Sequence, residues 1–525
     1  MDPAIAPPES VERTLIDALR TRLQADTGQP VELQETHISW VLLTDRLAYK
    51  LKKPLRLPFV DFSTLALRKH FCEEEVRLNR RLAPLLYLGV VPVCGTAQAP
   101  HIGEVGGVGD GGAPIDYAVC MQRFAPGALL SERLAAGELL PAHLDRLARR
   151  LADFHRDASV APPASPGDAV AQAVQPVLKV LQQLQAGGDS PYLDEVRAWV
   201  NVQMPALQQA WPARRLSDSV RECHGDLHLA NAVLIGDEVT AFDCLEFDPA
   251  LRWIDVMSDV AFLTMDLKAH GRSDLAFGFI DAYLQHSGDY AGVRVLRFYE
   301  VYRALVRALV ARVRLQVTGT ASPAASPDYL ACARQLALTA GGPARLLITH
   351  GLSGSGKSTL AGRLLALAGA IRLRSDVERK RLFGLDALQR SVDHAVDIYT
   401  PEATRRTFDR LKACARTALQ AGYPVIVDAA FLKRAERHAF QALADELGVP
   451  FSILHCQASE AQLRQRLAAR NLGGNDASEA DVKVLEHQVT DHEPLDDGER
   501  AIALQVVTDD AVDVAALHAR WLLRV

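Results

Sequence analysis

The sequence predicts two folds in succession: an α+β domain of two lobes over residues 1–340, then an α/β domain with a five-stranded parallel sheet over residues 341–525. Three observations carry that expectation. The 525 residues exceed what one ordinary core needs. Strand-like runs dominate up to about residue 123, whereas the chain after Leu129 is mostly helical, with one hairpin-like patch around His224 to Phe247. Beyond Pro343, short β-rich runs alternate with helical periods, which is the pattern of a parallel sheet with helices on both faces.

Taken in order, Ser39 to Leu43 and Leu47 to Lys52 read as strands, and the run E-E-E-V-R-L-N-R-R-L from Glu73 reads as a helix interrupting them. Tyr117 to Arg123 is a further strand. Glycine-rich punctuation falls at His101 to Pro114 and again from Gly319. A short helical stretch, Tyr329 to Thr339, then leads into Gly341-Gly342-Pro343. The five runs of the second domain begin at Leu346, Ile371, Val425, Phe451 and Ile502.

Composition narrows the function. Lys plus Arg total 58 against 64 Asp plus Glu, a formal charge of −6, which argues against a protein built to neutralise phosphate backbones. Apolar residues are 49% and charged residues 23%, a globular balance. No apolar run approaches the roughly 18 residues of a membrane span, and Met1-Asp2-Pro3-Ala4 lacks the features of a secretory signal. Eight scattered cysteines, none in a C-x-x-C pair, point to buried thiols in a reducing compartment. A soluble cytoplasmic protein is expected.

Gly351-Leu352-Ser353-Gly354-Ser355-Gly356-Lys357-Ser358-Thr359 fits G-x-x-x-x-G-K-[ST] in full, between an apolar strand and an amphipathic helix. Such a P-loop turns its amides inward onto phosphates, while Lys357 reaches the β- and γ-phosphates and the Ser358 hydroxyl ligates Mg²⁺. ATP and Mg²⁺ are the implied ligands of this P-loop NTPase fold. Asp376, just after the second strand, can take a proton from a substrate hydroxyl, and Arg379, one helical turn on, can hold an anionic group. The competing reading makes Asp376 a helix cap. Asp428 ends the third strand, where a carboxylate supporting Mg²⁺ is expected. Arg464, Arg466 and Arg470 line a helix before the polar N-L-G-G-N-D-A-S stretch; they read as lid arginines over the nucleotide or as a solvated face. From about Arg345 onward the chain resembles the small P-loop kinases of the AAA type, including the kinase domain of phage polynucleotide kinase and gluconate kinase-like enzymes. Ser375-Asp376-Val377-Glu378-Arg379 matches the Asp and Arg of the polynucleotide kinase pattern R-D-x-x-R. The resemblance implies a catalytic base at Asp376 and a substrate-binding arginine at Arg379.

The first domain carries a second set. His224-Gly225-Asp226-Leu227-His228-Leu229-Ala230-Asn231 has the spacing H-x-D-x-x-x-x-N, and Asp243 follows twelve residues after Asn231. A kinase needs one Asp at the acceptor hydroxyl, and an Asn and a later Asp for Mg²⁺. The alternating strand Leu47–Lys52 puts Lys50 and Lys52 on one face. Either can be the phosphate lysine, with Lys50 preferred. Glu75 fits best as its helix partner, because Val76, Leu78 and Leu82 turn toward the lobe interior. A small β-rich lobe before a larger helical lobe completes a bilobal, protein-kinase-like plan. Gly107 to Gly112 satisfies G-x-G-x-x-G literally, but it follows the lysines and opens no helix, so it reads as a hairpin tip.

From about Trp40 to Ala269 the chain resembles the aminoglycoside phosphotransferase group of kinase-like folds. H-G-D-L-H-L-A-N, F-D-C-L-E-F, L-A-D-F-H-R-D-A around His155 and the run containing Asp255 and Asp259 carry the likeness. It implies Asp226 as catalytic base, with Asn231 and Asp243 as metal ligands. Asp243-Cys244-Leu245-Glu246 departs from the usual aromatic-acid pair and leaves the role of Glu246 open. The expected activity is ATP-dependent phosphorylation of small-molecule hydroxyls at two ATP sites. A nucleic-acid 5′-end kinase in the P-loop half is the first alternative, disfavoured by the acidic balance and the lack of a basic, aromatic-interleaved stripe. A nucleotide-responsive regulatory module with weak turnover is the second.

Overall fold

The computed structural model describes residues 9–57, 60–107, 113–188, 190–318, 326–338, 343–394, 397–473 and 476–524. The G-x-G-x-x-G tip therefore lies largely outside the described residues. The chain forms two compact units. One draws on residues 1–150, 157–161 and 220–254, the other on residues 151–156, 162–219 and 255–525.

The first unit is built on a six-stranded antiparallel sheet. After helix α1 (Glu9–Thr27) come β1 (Glu32–Glu35), β2 (Ser39–Leu43) and β3 (Leu47–Lys52). Helix α2 (Leu65–Asn79) precedes β4 (Tyr87–Thr96), β5 (Ala99–Ile102) and β6 (Asp116–Gln122), and the order across the sheet is β1-β2-β3-β6-β4-β5. Two hydrophobic clusters flank this sheet. Ile16, Leu19 and Leu23 of α1 pack with Trp40, Leu42, Leu51 and Val93. Cys72 and Val76 of α2 pack with Ala48, Tyr87, Val119 and Met121. Thr64 caps α2 by accepting the Leu67 amide at 3.2 Å, which fixes where the helix starts. A hairpin of β7 (Ala232–Ile235) and β8 (Glu238–Ala241) turns at Gly236, whose φ of +60° favours glycine.

In the second unit, α3 (Val256–Ala269) packs against both α4 (Ser273–Ser287) and α5 (Val293–Thr318). The elements that build the second sheet and its site include β9 (Leu346–His350), α6 (Lys357–Ala368), β10 (Ile371–Arg374), α7 (Ser375–Arg381), β11 (Val425–Asp428), β12 (Phe451–Gln457), α8 (Glu460–Gly473), α9 (Val482–Asp491) and β13 (Ala503–Val507). All strand pairs of this sheet are parallel, in the order β10-β11-β9-β12-β13. Strand β9 is first in sequence and central in space, so the loop after it opens where the winding direction reverses. Ligands bind at that crevice in open α/β sheets.

The register of β9 against β12 sets His350 opposite His455, with their Nδ1 atoms 2.6 Å apart. Burial pushes His350 down to about 3 and also lowers His455. Histidines of an unfolded chain take a proton near pH 6.5, and folding disfavours that proton on both of these. The stability they confer is therefore complete above pH 6.5 and falls as the pH drops toward 3. Each contributes a slope of up to about 1.4 kcal/mol per pH unit. Urea denaturation between pH 7.5 and 5 should show stability falling with acidity, and His455→Asn should flatten that slope.

Candidate active sites

In the first unit the alternation of β3 sends Lys50 and Lys52 to one buried carboxylate. The Lys50 ammonium donates to Glu75 Oε1 at 2.9 Å, and Lys52 donates to Oε2 at 2.7 Å. Glu75 and Lys52 are fully buried, while Lys50 keeps 14% exposure. Lys50 also donates to Asp243 Oδ1 at 2.6 Å, and Lys52 to Glu246. Burial alone would raise the Glu75 carboxyl; the two ammonium groups overrule it and hold it low. Burial raises Glu246 despite Lys52. Both lysines are raised because the carboxylates outweigh desolvation.

The loop after Glu222 is organised around histidines. His224 donates through Nε2 to the Phe242 carbonyl at 2.9 Å and accepts the Asp226 amide at Nδ1, 3.3 Å away. His228 accepts the Ala230 amide at Nδ1, which leaves Nε2 as its protonated nitrogen, 3.5 Å from Asp226 Oδ2. Asn231 Nδ2 donates to Asp226 Oδ2 and to the Asp226 carbonyl, both at 3.0 Å. The Phe242 amide donates to the Asn231 carbonyl at 3.0 Å, so Asp243 follows directly on a residue tied to Asn231.

Asp243 has φ +62°, a strained value for a residue with a Cβ, and its amide donates to the Tyr87 hydroxyl at 3.1 Å. Its carboxylate is 43% exposed. Gly225 is required by φ +86° and because a Cβ there would lie 2.7 Å from the Leu251 carbonyl. Asp226, Asn231 and Asp243 supply only hard oxygen donors, and Asp243 holds one carboxylate oxygen on Lys50 while remaining open to solvent. This donor set fits Mg²⁺.

In the second unit the phosphate loop is shaped by close approach. A Cβ on Gly351 (φ +141°) would meet the Cys456 carbonyl at 2.3 Å, and one on Gly354 (φ +84°) the Leu463 carbonyl at 2.8 Å. Gly356 has φ +79° at the start of α6. Lys357 donates to the Leu352 carbonyl at 2.8 Å and lies 3.5 Å from the Ser355 hydroxyl. Burial lowers Lys357 against the pull of Asp428 and Asp376. Ser358 Oγ donates to Asp428 Oδ1 at 3.0 Å, while Asp428 Oδ2 is buried and accepts no hydrogen bond among the described residues. A hydroxyl and an aspartate with an orphaned buried oxygen fit a hydrated Mg²⁺. Thr359, the last residue of the motif, lies in the first turn of α6.

Around the loop, Asp376 is the second residue of α7, whose N-cap is Arg374, so Asp376 is not that helix's cap. Arg379 donates to the Ile398 carbonyl and to Thr404 Oγ1, both at 3.1 Å, and its guanidinium lies 5.3 Å from the Tyr399 ring centroid. Arg470 donates to the Ala480 carbonyl at 2.6 Å, and its buried Nε has no acceptor among the described residues. Arg466 binds Thr508 and the Gly354 carbonyl, and Arg464 forms surface pairs with Glu460 and Glu486. Of the three helix arginines, one braces the loop, one is a solvated face, and Arg470 keeps a buried N–H that is unsatisfied among the described residues.

Several contributors escaped the sequence. Gln488 of α9 accepts the Ser353 amide at 2.8 Å, and Asn79 ties α2 to the Cys244 amide at 2.9 Å. Nothing local marks either. Glu246 sits three residues after Asp243, and the acid at that spacing is the one signal that flagged it. Asp255 caps α3 and grips Arg214, and Asp259 lies 3.3 Å from His155.

A family described as "Phosphotransferase enzyme family" matches residues 59–299, and one described as "AAA domain" matches residues 346–495. Among solved structures, a choline/ethanolamine kinase family protein from Mesorhizobium loti aligns at 16% identity over 62% of this chain and 96% of its own, TM-score 0.36. A gluconokinase from Sinorhizobium meliloti aligns at 18% identity over 34% and 90%, TM-score 0.26. Uncharacterized proteins of Mycobacterium tuberculosis and Mycobacterium bovis are each 30% identical over 467 residues, covering 86% of this chain and 89% of theirs. The two family matches make the chain a phosphotransferase assembled from kinase-type domains. It belongs to the same family as these mycobacterial proteins, and in this chain the phosphotransferase-family region precedes the AAA region.

Proposed function

We propose that the chain is an ATP-dependent phosphotransferase with two ATP sites, one in each of the segments 1–340 and 341–525, each phosphorylating a hydroxyl of a small molecule. The observation that carries the reading is the pairing of a carboxylate with a cation-lined phosphate position in both units: Asp226 beside Asn231 with Asp243 on Lys50, and Ser358 on Asp428 within a complete phosphate loop.

At the first site, Asp226 takes the acceptor's proton as its oxygen attacks the γ-phosphorus and the bond to the β-phosphate oxygen breaks, releasing ADP. His228 and Asn231 hold the receiving carboxylate in place. Lys50 is the phosphate-binding lysine in this reading, because Lys52 is sealed between Glu75 and Glu246. Mg²⁺, held by Asn231 and Asp243 here and by Ser358 with Asp428 in the P-loop unit, would supply charge neutralisation on the phosphates. At the second site Asp376 is the base, the loop amides from Gly351 to Thr359 and Lys357 cradle the phosphates, Arg470 neutralises transferred charge, and Arg379 holds an anionic group of the acceptor.

No helix among the described residues is long and apolar enough to cross a membrane, no disulfide joins described residues, and all eight cysteines are buried. These facts support a cytoplasmic, non-membrane setting as part of the proposal. The acidic charge balance supports small acceptors over nucleic acid.

Asp226→Ala and Lys357→Ala should each remove one kinase activity, by about 10²- to 10⁴-fold where a general base is lost. A metabolite-pool phosphorylation screen with both variants as controls reads this out, and no loss in either variant for any acceptor sinks the reading. The lysines should separate. Lys50→Met should abolish turnover with a small change in melting. Lys52→Met leaves the buried Glu246 without its lysine and Glu75 with Lys50 alone, and should cost about 3–5 kcal/mol of stability, measured by denaturant titration. Transfer of labelled phosphate to a 5′-hydroxyl oligonucleotide should be absent; robust Lys357-dependent labelling would replace the small-molecule assignment with the end-kinase one.

A further inference from the structure

Asp428 Oδ2 is buried and accepts no hydrogen bond among the described residues, yet two arginines stand beside it, Arg374 Nε at 3.6 Å and Arg372 Nη1 at 3.7 Å. Each guanidinium is engaged elsewhere. Arg372 donates from Nε to Asp281 Oδ1 at 3.2 Å and from Nη2 to Oδ2 at 2.7 Å, a two-pronged grip, and its Nη1 donates to the Ser358 carbonyl at 3.1 Å. Arg374 donates to Asp476 Oδ1 at 3.0 Å and to Gln285 Oε1 at 3.4 Å. Gln285 in turn donates to Asp281 Oδ2 at 2.6 Å. Asp281 and Gln285 lie on α4, within the stretch matched to the phosphotransferase family, and they belong to the same compact unit as the phosphate loop.

A buried guanidinium 3.7 Å from a buried carboxylate oxygen closes that gap unless a better anion holds it. Asp281 is that anion. It is 10% exposed, faces Arg372, and meets both guanidinium nitrogens on its side. We propose that Asp281 is a positioning residue of the P-loop site: by holding Arg372, it keeps one oxygen of Asp428 available for the divalent cation beside Ser358. The acceptor phosphotransferase half thereby supplies a residue that tunes the metal affinity of the other half. The inference rests on the P-loop reading above, and its test separates the two.

The measurement is Mg²⁺-dependent binding of ATP to the full chain, titrating Mg²⁺ at fixed nucleotide, with the Lys357→Ala chain as the blank that isolates the P-loop site. Asp281→Asn keeps the shape but drops the charge, so Arg372 is free to pair with Asp428. The Mg²⁺ needed for half-maximal binding should rise about tenfold, while metal-free nucleotide affinity stays near that of the parent chain. Asp281→Asn combined with Arg372→Gln removes the competitor as well and should return the Mg²⁺ dependence to the parent value. That rescue is a result a merely structural bolt would not give.

An unchanged Mg²⁺ dependence in Asp281→Asn overturns the proposal, and so does a double variant that is as weak as the single one or weaker. Arg372→Gln alone gives an independent check if Asp281→Asn fails to fold: its Mg²⁺ affinity should be no lower than the parent's, and a lower one overturns the proposal. If Lys357→Ala binds Mg²⁺ and ATP like the parent chain, the P-loop reading itself falls, and the role of Asp281 falls with it.

Discussion

The first site depends on one buried anion. Glu75 is fully buried on a helix packed across the sheet, and leaving its carboxylate unpaired there would cost several kcal/mol. Two lysines at alternate positions of one strand remove that cost, and in doing so they fix the distance between helix and strand. Asp243 and Glu246 are then captured by the same two ammonium groups. The network is therefore as much a gauge as a bond. It sets the lysine that remains partly exposed against the aspartate that remains partly exposed.

Much of this is legible in the chain because the chemistry is local. The phosphate loop needs glycines at fixed offsets, since a Cβ at Gly351 or Gly354 would strike a backbone carbonyl. H-x-D-x-x-x-x-N is likewise readable because Asp226 and Asn231 meet within one loop. The strand Leu47–Lys52 and the parallel runs from Leu346 onward follow from alternation and apolar length. Lys50 and Lys52 were equivalent on period alone, and only three-dimensional burial distinguishes them.

What escaped is tertiary. Nothing near Gln488 announces that its amide oxygen will sit on Ser353, more than a hundred residues away. The helix Glu9–Thr27 has no chemical motif, and its value lies in Ile16, Leu19 and Leu23 filling one face of a sheet built from later segments. The segment 255–338 belongs in space with the parallel sheet, a fact of packing that no window of sequence can carry. Chemistry-bearing spacing survives as a readable signal; partnership between distant surfaces does not.

Asp281 and Gln285 stand on a helix that precedes the phosphate loop in the chain, so a segment cut at residue 341 would carry Arg372 and Arg374 without the carboxylate and the amide that hold them. On the proposed reading such a truncation would loose both cations against Asp428, and a fragment meant to keep the site whole would have to begin upstream of Ser273.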